Sequence, residues 1–340
     1  KTGNRDSGSL DMEKLSQQEI ESLLAESPLT LPEEVFDAAP STAAPYTTGK
    51  VKASALQAAA DRLNALRRIA GLPAVTLDLS LCENAQYGAV IQAANGSLDH
   101  YPDQPAGMGD SFYQQAKSAS ASSNLAAGHT LTGAVDAFMD DSDASNIATL
   151  GHRRWQLNPT LGKVGFGYAV SGQGYSRYVA EKVFDRSGAG CDYDFIGWPA
   201  SGSFPAQLFD GDTAWSVTLN PTAYQTAVKS ALTVTLTRKA DGRTWTFSSR
   251  GSDGFFNVTS SGYGEGYCVI FRPEGVETYE GTYTVRIEGL KALNGQDVED
   301  FTYQVDFFGS ETTNQDTTAA EQPEQAGTGT QGGSSQTAGA

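Results

Sequence analysis

At 340 residues, with 39% hydrophobic and 10% aromatic side chains, the chain exceeds the usual size of one domain and is too apolar for a disordered protein. Its formal charge of -17, from 23 Lys+Arg against 40 Asp+Glu, comes with no cationic cluster longer than Arg67-Arg68 or Arg153-Arg154, which argues against nucleic acid and anionic membrane surfaces as partners. No apolar run approaches the ~18 residues of a membrane span, and Cys82, Cys191 and Cys268, odd in number and without a C-x-x-C pair, exclude a disulfide scaffold.

Four segments follow from texture: a weakly ordered extension over 1–50, a helix-rich unit over 51–188, a strand-rich unit over 189–308, and a disordered low-complexity tail over 309–340. The first has Pro28, Pro32, Pro40 and Pro45 and room for one acidic helix, Ser16 to Ala25. It starts at Lys1 with no apolar leader, so either a signal peptide has been removed or the start has been trimmed. In the second, Leu56, Ala59, Leu63, Leu66 and Ile69 recur at helical spacing until Gly71 and Pro73. Further helices are predicted over Leu79 to Asn95, Ser111 to Ser118 and Thr132 to Asp140, then strands over Lys163 to Ala169 and Tyr175 to Phe184.

Beyond Gly188-Ala189-Gly190 the period drops to two. Strands are predicted over Ala214 to Leu219, Leu232 to Arg238, Thr244 to Ser248, Phe255 to Thr259, Tyr267 to Phe271, Thr282 to Ile287 and Phe301 to Phe308. Seven short strands between Gly and Asn/Asp turns predict an all-β, immunoglobulin-like sandwich, so the fold class is α+β. The three cysteines are expected as buried apolar thiols, with one bridge left open.

The chain contains no G-x-S-x-G, H-E-x-x-H, Walker A or G-x-G-x-x-G motif. Gly109-Asp110-Ser111-Phe112 imitates an esterase nucleophile block but lacks the downstream Asp-x-x-His. Any imidazole chemistry must use His100, His129 or His152. His129 is expected as an exposed loop residue. Arg153 and Arg154, being adjacent, face different ways, and at least one should pair with a carboxylate.

The segment Gly151-His152-Arg153-Arg154-Trp155-Gln156-Leu157-Asn158-Pro159, with Gly165-Phe166-Gly167 after it, resembles a G-H-R-x-x-x-L-N-P…G-x-G block of bacterial CAP proteins, the SCP-like extracellular group of the cysteine-rich secretory, antigen 5 and pathogenesis-related superfamily. Arg62-Leu63-Asn64, Ser123-Asn124-Leu125 and Ala134-Val135-x-x-Phe138 keep the same order. The resemblance covers about Val51 to Asp185 and implies an α-β-α sandwich with a cleft lined by two histidines and two acids around a divalent cation. Carried over, the histidines are His100 and His152 and one acid is Asp141, while Ser123 stands where the other acid is expected. His100, His152 and Asp141 form the candidate metal set, zinc being the cofactor they could hold. The cleft also includes Ser123 and Asn124, with Asn124 read as structural.

The resemblance thus implies a secreted or cell-surface protein that binds a small apolar molecule, a glycan or a protein, rather than an enzyme. The alternative is a hydrolase in which His100 or His152 is the base, Asp141 orients it, and Ser123 or a metal-bound water attacks.

Overall fold

The computed structural model describes residues 5–172, 174–309 and 337–338. The expected disordered tail falls almost wholly outside them.

The first half comprises α1 (Gln17–Glu26), β1 (Phe36–Ala38), β2 (Lys50–Val51), α2 (Ala53–Ile69), β3 (Thr76–Leu77), α3 (Leu79–Asn95), α4 (Asp110–Ala121), β4 (Asn124–Ala127), α5 (Leu131–Asp140), α6 (Gly151–Gln156), β5 (Lys163–Val170) and β6 (Arg177–Lys182). Local chemistry sets the helix ends. Ser16 and Glu19 form a reciprocal capping box on α1. Asp78 accepts from the Leu81 N–H at the start of α3, and Gly96, left-handed at φ 68°, ends it. Thr130 accepts from the Gly133 N–H to open α5.

Strands β4, β6 and β5 pair antiparallel, β3 adds parallel to β5, and β17 (Thr337–Ala338) adds antiparallel to β4. Alternation divides the side chains between two layers. Leu125, Ala127, Ala169, Tyr178 and Ala180 pack with Ala85, Ala89 and Ala93 of α3, whereas Ala126, Val164, Phe166 and Val179 join the core shared with α2 and α5. Both faces of the sheet are therefore covered by helices, as an α-β-α arrangement requires.

Helix α3 lies directly on β5. A Cβ on Gly165 would sit 2.4 Å from the Leu81 carbonyl carbon, and one on Gly167 2.3 Å from the Ala85 oxygen. At that approach the Gln86 side chain hydrogen-bonds β5 itself, its Oε1 accepting from the Tyr168 N–H at 2.8 Å and its Nε2 donating to the Tyr168 carbonyl at 2.7 Å.

The second half adds β7 (Phe195–Trp198), β8 (Gly202–Pro205), β9 (Trp215–Leu219), β10 (Thr233–Arg238), β11 (Thr244–Ser248), β12 (Gly251–Ser252), β13 (Gly254–Thr259), β14 (Cys268–Pro273), β15 (Gly281–Glu288) and β16 (Phe301–Phe308). One sheet runs β12-β11-β10-β15-β16-β8 and the other β13-β14-β9-β7. Trp215, Phe209, Tyr279, Tyr283 and Phe307 pack edge to face within the same hydrophobic core, which continues into α2 and α5. Among the described residues the cysteines are unbridged, Cys82 and Cys268 buried and Cys191 half-buried.

The segment 5–50, expected as a weakly ordered lead-in, is instead packed. Ile20 and Leu24 of α1 are buried in the main core. Residues 7–10 thread between the turn after α2 and β7: Gly8 donates to the Phe195 carbonyl, Ser9 to that of Gly71 and Leu10 to that of Asp192. Arg5 forms an ion pair with Asp194 at 2.7 Å. Gly8 sits at φ 83°, where a Cβ would meet the Ala70 oxygen at 2.4 Å. Proline-rich composition concealed this because the ordering contacts are distant in sequence rather than periodic.

Candidate functional site

Helix α5 ends on Asp141, a left-handed residue at φ 48°, a conformation that Asp tolerates better than most. The turn aims its carboxylate at α6. Oδ2 accepts from the backbone N–H groups of His152 at 2.9 Å and Arg153 at 3.3 Å, and Oδ1 accepts from His152 Nδ1 at 2.7 Å. Phe138, one turn earlier on α5, stacks on the imidazole with ring centroids 5.3 Å apart. The paired side chains are 0% exposed.

A second carboxylate approaches from β6. Glu181 accepts from Asn124 Nδ2 at 3.0 Å and from Gln156 Nε2 at 2.9 Å, and Asn124 Nδ2 also reaches the His152 carbonyl at 3.4 Å. Complete burial pushes the Glu181 carboxyl up to about 7, against the opposing pull of its two amide donors and His152. Glu181 was missed from the sequence, although it lies at i+2 from Val179 and so shares that residue's inward face.

His100, on the loop after α3, donates from Nδ1 to the Ser120 carbonyl at 2.8 Å. Ser123 is buried and gives its hydroxyl hydrogen to the Ala119 carbonyl at 2.7 Å, not to a histidine. Asn124 belongs to the Glu181 network. Among the described residues, no three His, Cys, Asp or Glu side chains are grouped to hold a metal ion. His152 and Asp141 meet each other, His100 does not complete a set with them, and zinc needs at least three protein ligands about 2 Å from one point. The arrangement therefore does not fit the metal that the resemblance implied.

The second half closes over this network. Arg153 is fully buried and donates to the carbonyls of Met139 (2.6 Å) and Asp140 (2.7 Å), then across to the Ala214 carbonyl (2.6 Å) and Ser216 Oγ (3.0 Å) on and beside β9. Burial lowers its pKa to about 10, so it remains charged near neutral pH, helped by Asp141 and Asp140. Arg154 donates to the Ser261 and Gly266 carbonyls, each at 3.0 Å. The expected carboxylate pairing of these arginines is replaced by carbonyl acceptors; neither forms an ion pair among the described residues. Between β13 and β14, Tyr263 lies on Gly151 so closely that a Cβ there would be 3.0 Å from its ring.

An open cavity of about 360 Å³ lies beside this sealed network, along the seam between α5 and the residues leading into β9. Met139, Trp198 and Phe209 contribute apolar wall, and Asp140, Asp143 and Asp210 contribute carboxylates. Trp198 is 1% exposed, and its Nε1 is buried without a hydrogen-bond partner. His129 also lines the cavity; it is half-buried rather than exposed as expected, and burial lowers its pKa.

No curated protein matches the chain. Residues 60–183, from within α2 to just past β6, match the family model of CAP, the cysteine-rich secretory protein family.

Proposed function

We propose that the protein is a secreted or cell-surface binding protein of bacterial CAP type, and that it takes its ligand in the seam cavity rather than at the His152 network. The second half is read as an immunoglobulin-like sandwich that supplies one wall. The observation that carries this reading is the make-up of that open cavity, lined by Asp136, Asp140, Asp141, Asp143 and Asp210 beside the apolar Met139, Trp198 and Phe209. The carboxylates favour a cationic ligand. A basic protein segment fits, the charged end of its Arg or Lys side chain meeting the acids and its aliphatic stem the apolar wall.

The burial of His152 and Asp141 supports binding over hydrolysis, since a general base must reach the proton it removes. Among the described residues no helix is long and apolar enough to cross a membrane. The test is titration of the full chain with acetyl-Gly-Arg-Gly-amide and acetyl-Gly-Glu-Gly-amide, read by tryptophan fluorescence and calorimetry. Saturable binding of the arginine peptide alone, weakened by salt and by Asp140→Asn, is the expected result. Equal responses to both peptides, or none to either, would overturn the reading.

A further inference from the structure

Lysine 182 ends β6 half-buried, and its ammonium nitrogen lies 2.5 Å from Ser122 Oγ. Lys14, Lys50, Lys52, Lys163 and Lys291 each form an ion pair with a carboxylate, as a chain with 40 acidic residues makes easy. Lys182 forms none among the described residues, and its hydrogen-bond partner is a serine hydroxyl. Lys14 also touches a serine, Ser201, but pairs with Asp6 at 2.7 Å as well.

We propose that Ser122 and Lys182 form a nucleophile–base pair that accepts acyl groups from small activated esters, a site separate from the seam cavity and independent of it. Serine is a weak nucleophile unless a neighbouring base takes its proton, and a lysine performs that role only where its neutral form is accessible. The setting favours this. Burial alone lowers the Lys182 pKa to about 8, with no charged neighbour contributing. Its strand neighbour Glu181 faces Asn124 and Gln156, and Asp185 is held by the Gly162 and Lys163 amides. The charged groups on the packed elements, Glu83 of α3, Asp110 and Lys117 of α4 and Lys163 of β5, do not perturb it, nor does His100 beside Ser120.

Ser122 is equally well placed. It is the C-cap residue of α4, half-buried, and its hydroxyl reaches the Ser118 carbonyl at 2.7 Å, so the side chain is oriented and still accessible. In the reaction, neutral Lys182 takes the Ser122 hydroxyl proton as Oγ bonds to the ester carbonyl carbon. The carbon–oxygen bond to the leaving group then breaks, and the leaving oxygen receives that proton from the Lys182 ammonium. Water, deprotonated in the same way, displaces Oγ and releases the carboxylic acid.

The experiment incubates the full chain with p-nitrophenyl acetate between pH 6 and 10, following p-nitrophenolate release and locating acetyl groups by peptide mass mapping. Expected are an acetyl group on Ser122, or release that depends on Ser122, and a rate that rises with pH through about 8 as Lys182 loses its proton. Ser122→Ala should abolish it, and Lys182→Met and Lys182→Arg should each slow it about 100-fold, the lower range for general-base catalysis. The wild-type pH profile needs no variant, and the arginine variant keeps the charge should the methionine variant fail to fold. Acetyl on Lys182 with Ser122 unmodified would overturn the proposal. So would Ser122 reacting equally fast in Lys182→Arg, or no Ser122-dependent reaction at pH 9; each would leave the contact as a lysine capping the C-terminus of α4.

Discussion

Glu181→Gln should make the protein more stable at pH 8 and leave it nearly unchanged at pH 5. A carboxyl whose pKa rises on folding binds its proton more tightly in the native state, so its contribution is fully present below the unfolded value and is lost as pH climbs through the folded one. For Glu181 those limits are 4.5 and about 7. The difference corresponds to about 3 kcal/mol at 1.36 kcal/mol per pKa unit, undiminished by screening because the group is fully buried. Glutamine stays neutral throughout. Its amide finds acceptors, since Asn124 Oδ1 and Gln156 Oε1 are both buried without partners. Thermal melts of both proteins from pH 5 to 8.5 should diverge as pH rises, reaching roughly 5–10 °C for a protein of this size. Parallel melting curves would refute the assignment, because other titrating groups cancel in the comparison.

Arg153→Met should cost about 3–5 kcal/mol in urea unfolding, since it strands carbonyls of Met139, Asp140 and Ala214 in a dry seam; a loss under about 1 kcal/mol would mean that those carbonyls find other donors. Gly167→Ala should lower the melting temperature and soluble yield sharply, because the Ala85 oxygen 2.3 Å away is helix backbone that cannot rotate aside; an unchanged melt would show that α3 can shift off β5. Ser16→Ala should cost only about 1 kcal/mol, the worth of one helix cap, measured by the same melts.

Much of the fold was legible where a single period governs a stretch. The predicted bounds of α3, β11 and β16 coincide with those found, and the α2, β9, β10 and β15 segments differ only at their ends. The unpredicted elements lack a period. All six residues of α6 and all four of β4 are buried, so neither shows an amphipathic stripe, and β8 joins as a parallel edge strand beginning with Gly and ending with Pro. At the site, the pairing of His152 with Asp141 followed from residues that a motif kept at recognisable spacing. Glu181 was obscured because Tyr178 to Glu181 are buried in succession, which erases the alternation that usually marks an inward charge. His100 was assigned to that cleft from its place in the order of elements, which could not foretell its hydrogen bond to the Ser120 carbonyl.

The strap formed by residues 5–10 bears on how the molecule is made. These residues are made long before the elements they bind: Arg5 meets Asp194 across 189 positions and donates its backbone N–H to the Thr302 carbonyl. Helices α2 to α5 can pack as they emerge, since their partners are close in sequence. The strap must wait for β7 and β16, and the seam containing Arg153 must wait for Ala214 and Ser216 at β9, so neither can close until much of the second half has been made. Binding at that seam would then report that the two halves have come together.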